Sequence, residues 1–150
     1  MKIQQENYWD VLGDIKPLLI KHWEDIALDK DAVKLDPSWE MYDYLANHGN
    51  IHVTTVRNDD GVMVGYCVYI LSPAMHYATE TYADGDIFWL DPDYRKGTIG
   101  IRMLKAAEKS LATLGVTKVL NKVKLHKDVG KIFEHLGYSA IERVYAKRIA

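Results

Sequence analysis

The stretch Asp93-Tyr94-Arg95-Lys96-Gly97-Thr98-Ile99-Gly100-Ile101-Arg102-Met103-Leu104 decides the fold. It follows the apolar run Asp86-Ile87-Phe88-Trp89-Leu90 and opens a helical repeat whose stripe is Gly100, Leu104, Ala107, Leu111 and Leu114, stopped by Gly115. A strand therefore feeds a short basic glycine loop that runs straight into a helix. The first turn of a helix carries unpaired backbone N–H groups and the positive end of the macrodipole, which suits phosphate. Glycine lets the backbone approach a ligand where a Cβ would stand in the way. Arg95, Lys96 and Arg102 add mobile positive charge. The segment reads as an anion site for a phosphorylated cofactor. It is not a Walker loop, which needs Gly-Lys-Ser/Thr after four residues, and Gly97-Thr98-Ile99-Gly100 does not supply the dinucleotide fingerprint.

Upstream, Val11, Leu12, Ile15, Leu18, Leu19, Trp23 and Ile26 recur at helical spacing and make the first 27 residues helical, with Pro17 as a kink or a break. Asp29 to Pro37 is turn-like. Trp39 to Leu45 predicts a second short helix ending near Gly49. Ile51 to Arg57 alternates as a strand, Asn58-Asp59-Asp60-Gly61 turns, and Val62 to Leu71 returns as a strand apolar on both faces. Ser72 to Ala83 reads as a loop rich in His and Tyr. Downstream, Val116 to Leu125 is a strand, Asp128 to Leu136 a short helix closed by Gly137, and Ile141 to Ile149 a last strand. The order α, α, β, β, β, α, β, α, β gives an α+β fold, mixed αβ with a central, partly antiparallel sheet.

The loop resembles the acetyl-CoA loop of the GNAT N-acetyltransferase superfamily, Arg/Gln-x-x-Gly-x-Gly/Ala after an apolar strand. Leu90-Asp91-Pro92-Asp93-Tyr94-Arg95 fits the approach, and Arg95 and Gly100 fit the outer loop positions. Thr98 departs from the pattern, standing where the family has its middle glycine. A second anchor, Phe133-Glu134-His135-Leu136-Gly137-Tyr138, resembles the superfamily's Tyr-Glu-Lys-Leu-Gly-Phe signature. The element order also matches, from about residue 5 onward, and the chain is similar to the small GNAT proteins of tailed bacteriophages. The resemblance implies one domain over residues 1–150, with a mostly antiparallel twisted sheet flanked by helices and splayed at the acyl-CoA site. It implies acetyl-CoA as cofactor, held at its pyrophosphate by the amides of Lys96, Gly97, Thr98, Ile99 and Gly100 and by the charges of Arg95 and Lys96. The Leu90 backbone would align the pantetheine arm.

The activity so implied is direct transfer of an acetyl group from the thioester to a primary amine in a ternary complex. Freeing the lone pair of an alkylamine at pH 7 costs about 4.6 kcal/mol, whereas releasing the thiolate costs nearer 2 kcal/mol, so a base matters more than an acid. Asp86 opens the strand that flanks the acetyl group, where GNAT enzymes place an acidic residue, and is the first candidate base. His76 is the second, because an ordinary imidazole accepts a proton at neutral pH; it could also overhang the acceptor. Glu80 could assist through water. Phe133 replaces the tyrosine that protonates the departing sulfur in many family members, and can pack on pantetheine but donate nothing. His126, seven residues upstream where the family has an asparagine, contacts the cofactor arm, takes over the acid role, or caps the next helix with Asp128. His22, Glu24 and Tyr42 fall on the helices that line the acceptor cleft in this fold; for His22 and Glu24 the competing reading is a surface position beside a core Trp23, and for Tyr42 it is core or interface packing. The alternative function is a GNAT-shaped acyl-CoA-binding or regulatory module that no longer catalyses, and a third is a structural protein that needs no cofactor.

Composition bounds these readings. The chain has 150 residues, 48% hydrophobic and 27% charged, with a formal net charge of −2. No basic stripe marks it as a nucleic-acid protein. Cys67, the only cysteine, falls in the doubly apolar strand and reads as a buried inert thiol. The histidines lack metal-ligand spacing, so no metal is expected. No apolar run is long enough for a membrane span and Met1 to Glu6 is no signal peptide, which points to the cytoplasm. Few residues follow Gly137, so an edge or open cleft is expected to be completed by a second subunit.

Overall fold

Every strand joins one five-stranded sheet in the computed structural model, which describes residues 1–150. The strands are β1 (Lys2–Glu6), β2 (Ile51–Arg57), β3 (Met63–Ala74), β4 (Tyr77–Leu90) and β5 (Lys118–Leu120), side by side in that order. The first three pairings are antiparallel and β4–β5 is parallel. Helices α1 (Tyr8–Ile26) and α2 (Trp39–Asn47) cover one face; α3 (Ile99–Thr113) and the short α4 (Gly130–His135) lie with the other. The core is accordingly double. Tyr8, Val11, Ile15, Val53, Tyr66, Val68 and Trp89 pack on the α1 side, and Val56, Cys67, Tyr69, Leu90, Met103, Ala107 and Leu111 on the α3 side. The mixed, mostly antiparallel sheet between helices is the architecture expected.

Several elements differ from the sequence reading. Lys2–Glu6 is a strand, not part of the first helix; it holds only one strongly apolar residue, Ile3, and its place is set by the ladder to β2 and by Arg57, which binds Glu6 at 2.8 Å and Asp14 on α1 at 2.8 Å. Helix α1 starts at Asn7, whose side chain accepts from the Trp9 amide, and runs unbroken through Pro17. The carbonyl that Pro17 leaves unbonded belongs to Gly13, and both residues are exposed to water. The supposed loop Ser72 to Ala83 is hairpin strand: β3 continues to Ala74, β4 begins at Tyr77, and Met75-His76 is the tip. The Thr and Tyr residues of Tyr77-Ala78-Thr79-Glu80-Thr81-Tyr82 suit an extended backbone.

At the other edge, β5 keeps only three residues and the strand expected over Ile141 to Ile149 does not form. The two losses share a cause. β4 and β5 pair only from Tyr82↔Lys118 to Asp84↔Leu120 and then part, leaving so short an edge that little ladder is available to a further strand. No helix is long and apolar enough to cross a membrane.

Candidate active site

The parting of β4 from β5 creates the site. Opposite Val68 and Tyr69 the ladder jumps from Ile87 to Gly85, so Asp86 is the extra residue of a β-bulge. Beyond it, the Asp91 amide donates to Val64 O, which turns the amides of Trp89 and Asp91 toward β3. Those of Phe88 and Leu90 therefore face the side that β5 has vacated. A Cβ on Gly85 would come within 3.0 Å of Leu120 O and 3.1 Å of Asn121 Oδ1, so glycine marks the point where the two strands still touch. Asn121 Nδ2 is buried there without a hydrogen-bond partner, while its Oδ1 accepts from Tyr69 Oη at 2.9 Å. Sequence reading missed Asn121, because only the splay gives it meaning.

The loop after β4 turns through a 3-10 helix, Pro92–Tyr94, into α3. Gly97 has φ +71 and nothing within 4 Å of an added Cβ, so its role is backbone conformation and open space. Thr98 is the N-cap but makes no side-chain cap hydrogen bond. From Lys96 to Ile101, six consecutive amides have neither backbone nor side-chain partner; the helical ladder begins with Arg102 N on Thr98 O. Unpaired amides at the positive end of a fifteen-residue helix, where a Cβ added at Gly100 would lie 4.0 Å from a Leu90 methyl, form a cradle that fits an anionic diphosphate. Lys96 is exposed above it.

Arg95 is not mobile. Its Nε donates to Leu90 O at 2.7 Å and its Nη2 to Asp25 Oδ2 at 2.6 Å. The Leu90 carbonyl is thus taken by the protein's own side chain, leaving the Leu90 amide for a ligand. Lys127 binds the same aspartate, and the two cations hold the Asp25 carboxyl down to about 2, Lys127 contributing most. His126 Nε2 donates to Ile26 O at 3.1 Å, so it closes the C-terminus of α1, not the helix that follows it; Asp128, one residue before the N-cap Val129, accepts from Gly130 N at 2.7 Å at the start of α4.

Asp86 is exposed, and Oδ2 accepts from Tyr42 Oη at 2.6 Å while Oδ1 has no partner. Burial, and then this carboxylate, raise the Tyr42 phenol above its ordinary value, so Tyr42 keeps its proton and donates it. His22 is 4% exposed, bonded through Nδ1 to Tyr66 Oη at 2.9 Å and stacked on Trp89. Burial pushes it down to about 4, so it is neutral and braces β4 from beneath. The surface expected for it belongs instead to Trp23, which is half-buried, and Glu24 points to solvent. His76, at the hairpin tip, stands about 30 Å from Asp86 along roughly nine residues of extended strand, and Glu80 lies between them. Neither is brought to the splay.

Phe133 is 6% exposed and meets Phe88 and Tyr138 edge-on, at 5.9 and 5.5 Å between ring centres. It therefore packs against the vacated stretch of β4. The neighbouring phenol, Tyr138, donates to Glu108 Oε1 at 2.8 Å. Cys67 is fully buried and its thiol is pushed up to about 12 by that burial, which removes it from chemistry at neutral pH.

Residues 17–138 match the model of the acetyltransferase (GNAT) family. The chain belongs to the GNAT acetyltransferase family. Solved structures of the GNAT fold overlay nearly its whole length. A ribosomal-protein-alanine N-acetyltransferase from Brucella melitensis biovar Abortus 2308 aligns with a TM-score of 0.72 at 17% identity, covering 99% of this chain and 100% of that one. An aminoglycoside acetyltransferase from an uncultured soil metagenomic sample gives 0.73 at 16% identity, covering 99% and 95%. An aminoglycoside N-acetyltransferase solved with CoA gives 0.71 at 13%, covering 99% of each chain. At these identities the likeness is one of fold. No curated protein matches the chain.

Proposed function

We propose that this GNAT protein moves an acetyl group from acetyl-CoA to a primary amine by direct transfer, with both substrates bound at once. One observation carries the reading: six free amides, Lys96 to Ile101, adjoin the open edge of a strand whose bulge presents a carboxylate, Asp86. When bound, acetyl-CoA supplies the activated acetyl group. The amides and Lys96 bind its diphosphate, Arg95 stiffens the loop through Leu90 O and Asp25, and the amides of Phe88 and Leu90 orient the arm between the parted strands. Phe133 gives that arm an apolar wall.

Asp86 receives the amine proton on Oδ1, while Tyr42 holds Oδ2 and keeps the carboxylate pointed into the cleft. His76 is too distant to share this role. Neither residue at the expected acid positions protonates the sulfur, since Phe133 has no proton to give and His126 is bonded to Ile26 O. Thiolate release at neutral pH costs only about 2 kcal/mol, so the missing acid slows transfer without stopping it. The net charge of −2 favours a small or basic amine over nucleic acid, and a cytoplasmic setting accords with the single buried thiol. A second subunit covers the open cleft beside β5. The likeness to phage-borne members rests on sequence alone.

CoA release measured over a panel of amines tests the reading. Turnover in the wild type, lost in Asp86→Asn with acetyl-CoA binding retained, supports it. The absent acid favours a second reading, an acyl-CoA-binding module without catalysis, which binding of acetyl-CoA with no turnover on any amine would establish. If neither binding nor turnover is found, both readings fail.

A further inference from the structure

Next to Asp86, between α1, α2 and the sheet, lies a recess walled only by apolar and aromatic side chains, among them Leu12, Ile15, Leu19, Trp39, Tyr42 and Ile87. We infer that the acceptor amine carries a short uncharged aliphatic chain, which seats in this recess while the nitrogen meets Asp86. The inference rests on the acetyltransferase reading above and names the class of its substrate.

Tyr42 ties recess to chemistry. Its ring forms part of the wall, and its hydroxyl holds the Asp86 carboxylate at 2.6 Å. Ile87, another wall residue, follows Asp86 in β4. An amine at Oδ1 of Asp86 therefore has its nearest carbons at an apolar surface. No carboxylate lines the recess to receive a second ammonium group: the nearby Asp43 accepts from Tyr8 Oη at 2.8 Å. At the rim, Lys16 Nζ sits 4.8 Å over the Trp39 ring, a fixed cation that repels a distal positive charge.

Size sets the length of the chain. The recess holds about 20 Å³, space for one or two carbon centres, given that one water-sized probe needs roughly 10–15 Å³. It can widen on the α2 side, because α2 has no fully buried residue and is joined to α1 by an exposed connection through residues 28–36. Each methylene taken up should raise kcat/KM about fourfold.

The test is CoA release with acetyl-CoA and ethylamine, propylamine, butylamine or 1,4-diaminobutane, whose amines have similar basicity. The expected result is a rise of about fourfold per methylene from ethylamine to butylamine, with the diamine at least tenfold below butylamine. Leu12→Phe, which fills the recess from the half-buried face of α1, should flatten the series by bringing butylamine turnover down to that of ethylamine, and a melting curve checks that it folds. As a readout apart from turnover, the indole N–H resonance of Trp39 should shift at lower concentrations of butylammonium than of ethylammonium. Turnover that ignores chain length, or that prefers the diamine, overturns this inference and leaves the acetyltransferase reading standing. Turnover of no amine, with the Trp39 resonance unmoved by either ammonium ion, sinks both.

Discussion

Asp86 shows how much one inserted residue can decide. Without the bulge, strict alternation would put its neighbours on the wrong faces of β4; with it, Ile87 and Trp89 face α1, Phe88 and Leu90 face α3, and the carboxylate meets Tyr42. Asp86→Asn keeps the shape but removes the proposed base, and should lower kcat by about 10²–10⁴-fold with little change in acetyl-CoA affinity. Tyr42→Phe leaves the carboxylate in place without its donor; kcat/KM is then expected to fall about tenfold with acetyl-CoA affinity unchanged, because the carboxylate is no longer held toward the cleft. At Gly97, φ of +71 with free space around the Cβ position means that Gly97→Ala is strained but not blocked. A cost of about 1–2 kcal/mol is expected, seen as a fall of a few degrees in Tm.

Among the elements, legibility followed locality. Helix α3 and its loop were readable because everything that makes them lies within four residues: the apolar stripe, the glycines and the basic turn. The β2–β3 turn, Asn58 to Gly61, was equally plain. β1 was not, since Lys2–Glu6 is polar and becomes a strand only through its ladder to β2 and the Arg57–Glu6 pair. His22 and His52 belong to this scale too, because their elements carry them into the two cores. Burial pushes each down to about 4. Folding then favours the neutral ring, and the unfolded chain binds the extra protons between pH 4 and 6.5. This stability is fully present above pH 6.5 and is lost as pH falls toward 4, by up to about 3 kcal/mol for each histidine. Tm should drop steeply across that window, and His52→Gln should shallow the slope. A wild-type Tm that is flat from pH 7 to 4 would contradict the burial of both rings.

For the whole molecule, two consequences are measurable. Acetyl-CoA at a hundred times its Kd should stabilise the folded chain by about 2.7 kcal/mol, or roughly 5–10 °C for a domain of this size, whereas a ligand without the diphosphate should not. From Ser139 onward no backbone amide is bonded within the chain, and Ile141, Val144, Tyr145 and Ile149 are 67–92% exposed. Hydrogen exchange in residues 139–150 should therefore be fast in a monomer; protection there, together with a doubled molar mass in light scattering, is the outcome expected if a second subunit covers the edge of β5.

By itself, the sequence determined the family, the fold class and the glycine loop that opens α3, because local periodicity, turn chemistry and two short motifs are written into neighbouring residues. Only the tertiary structure decided which candidates meet. It brought Tyr42 to Asp86 across about forty residues, moved His76 out to a hairpin tip, sank His22 beneath Trp89, and tied Arg95 and Lys127 to one aspartate. Those outcomes depend on strand register, a bulge and the parting of β4 from β5, which arise from packing between distant segments and leave no periodic trace in the chain.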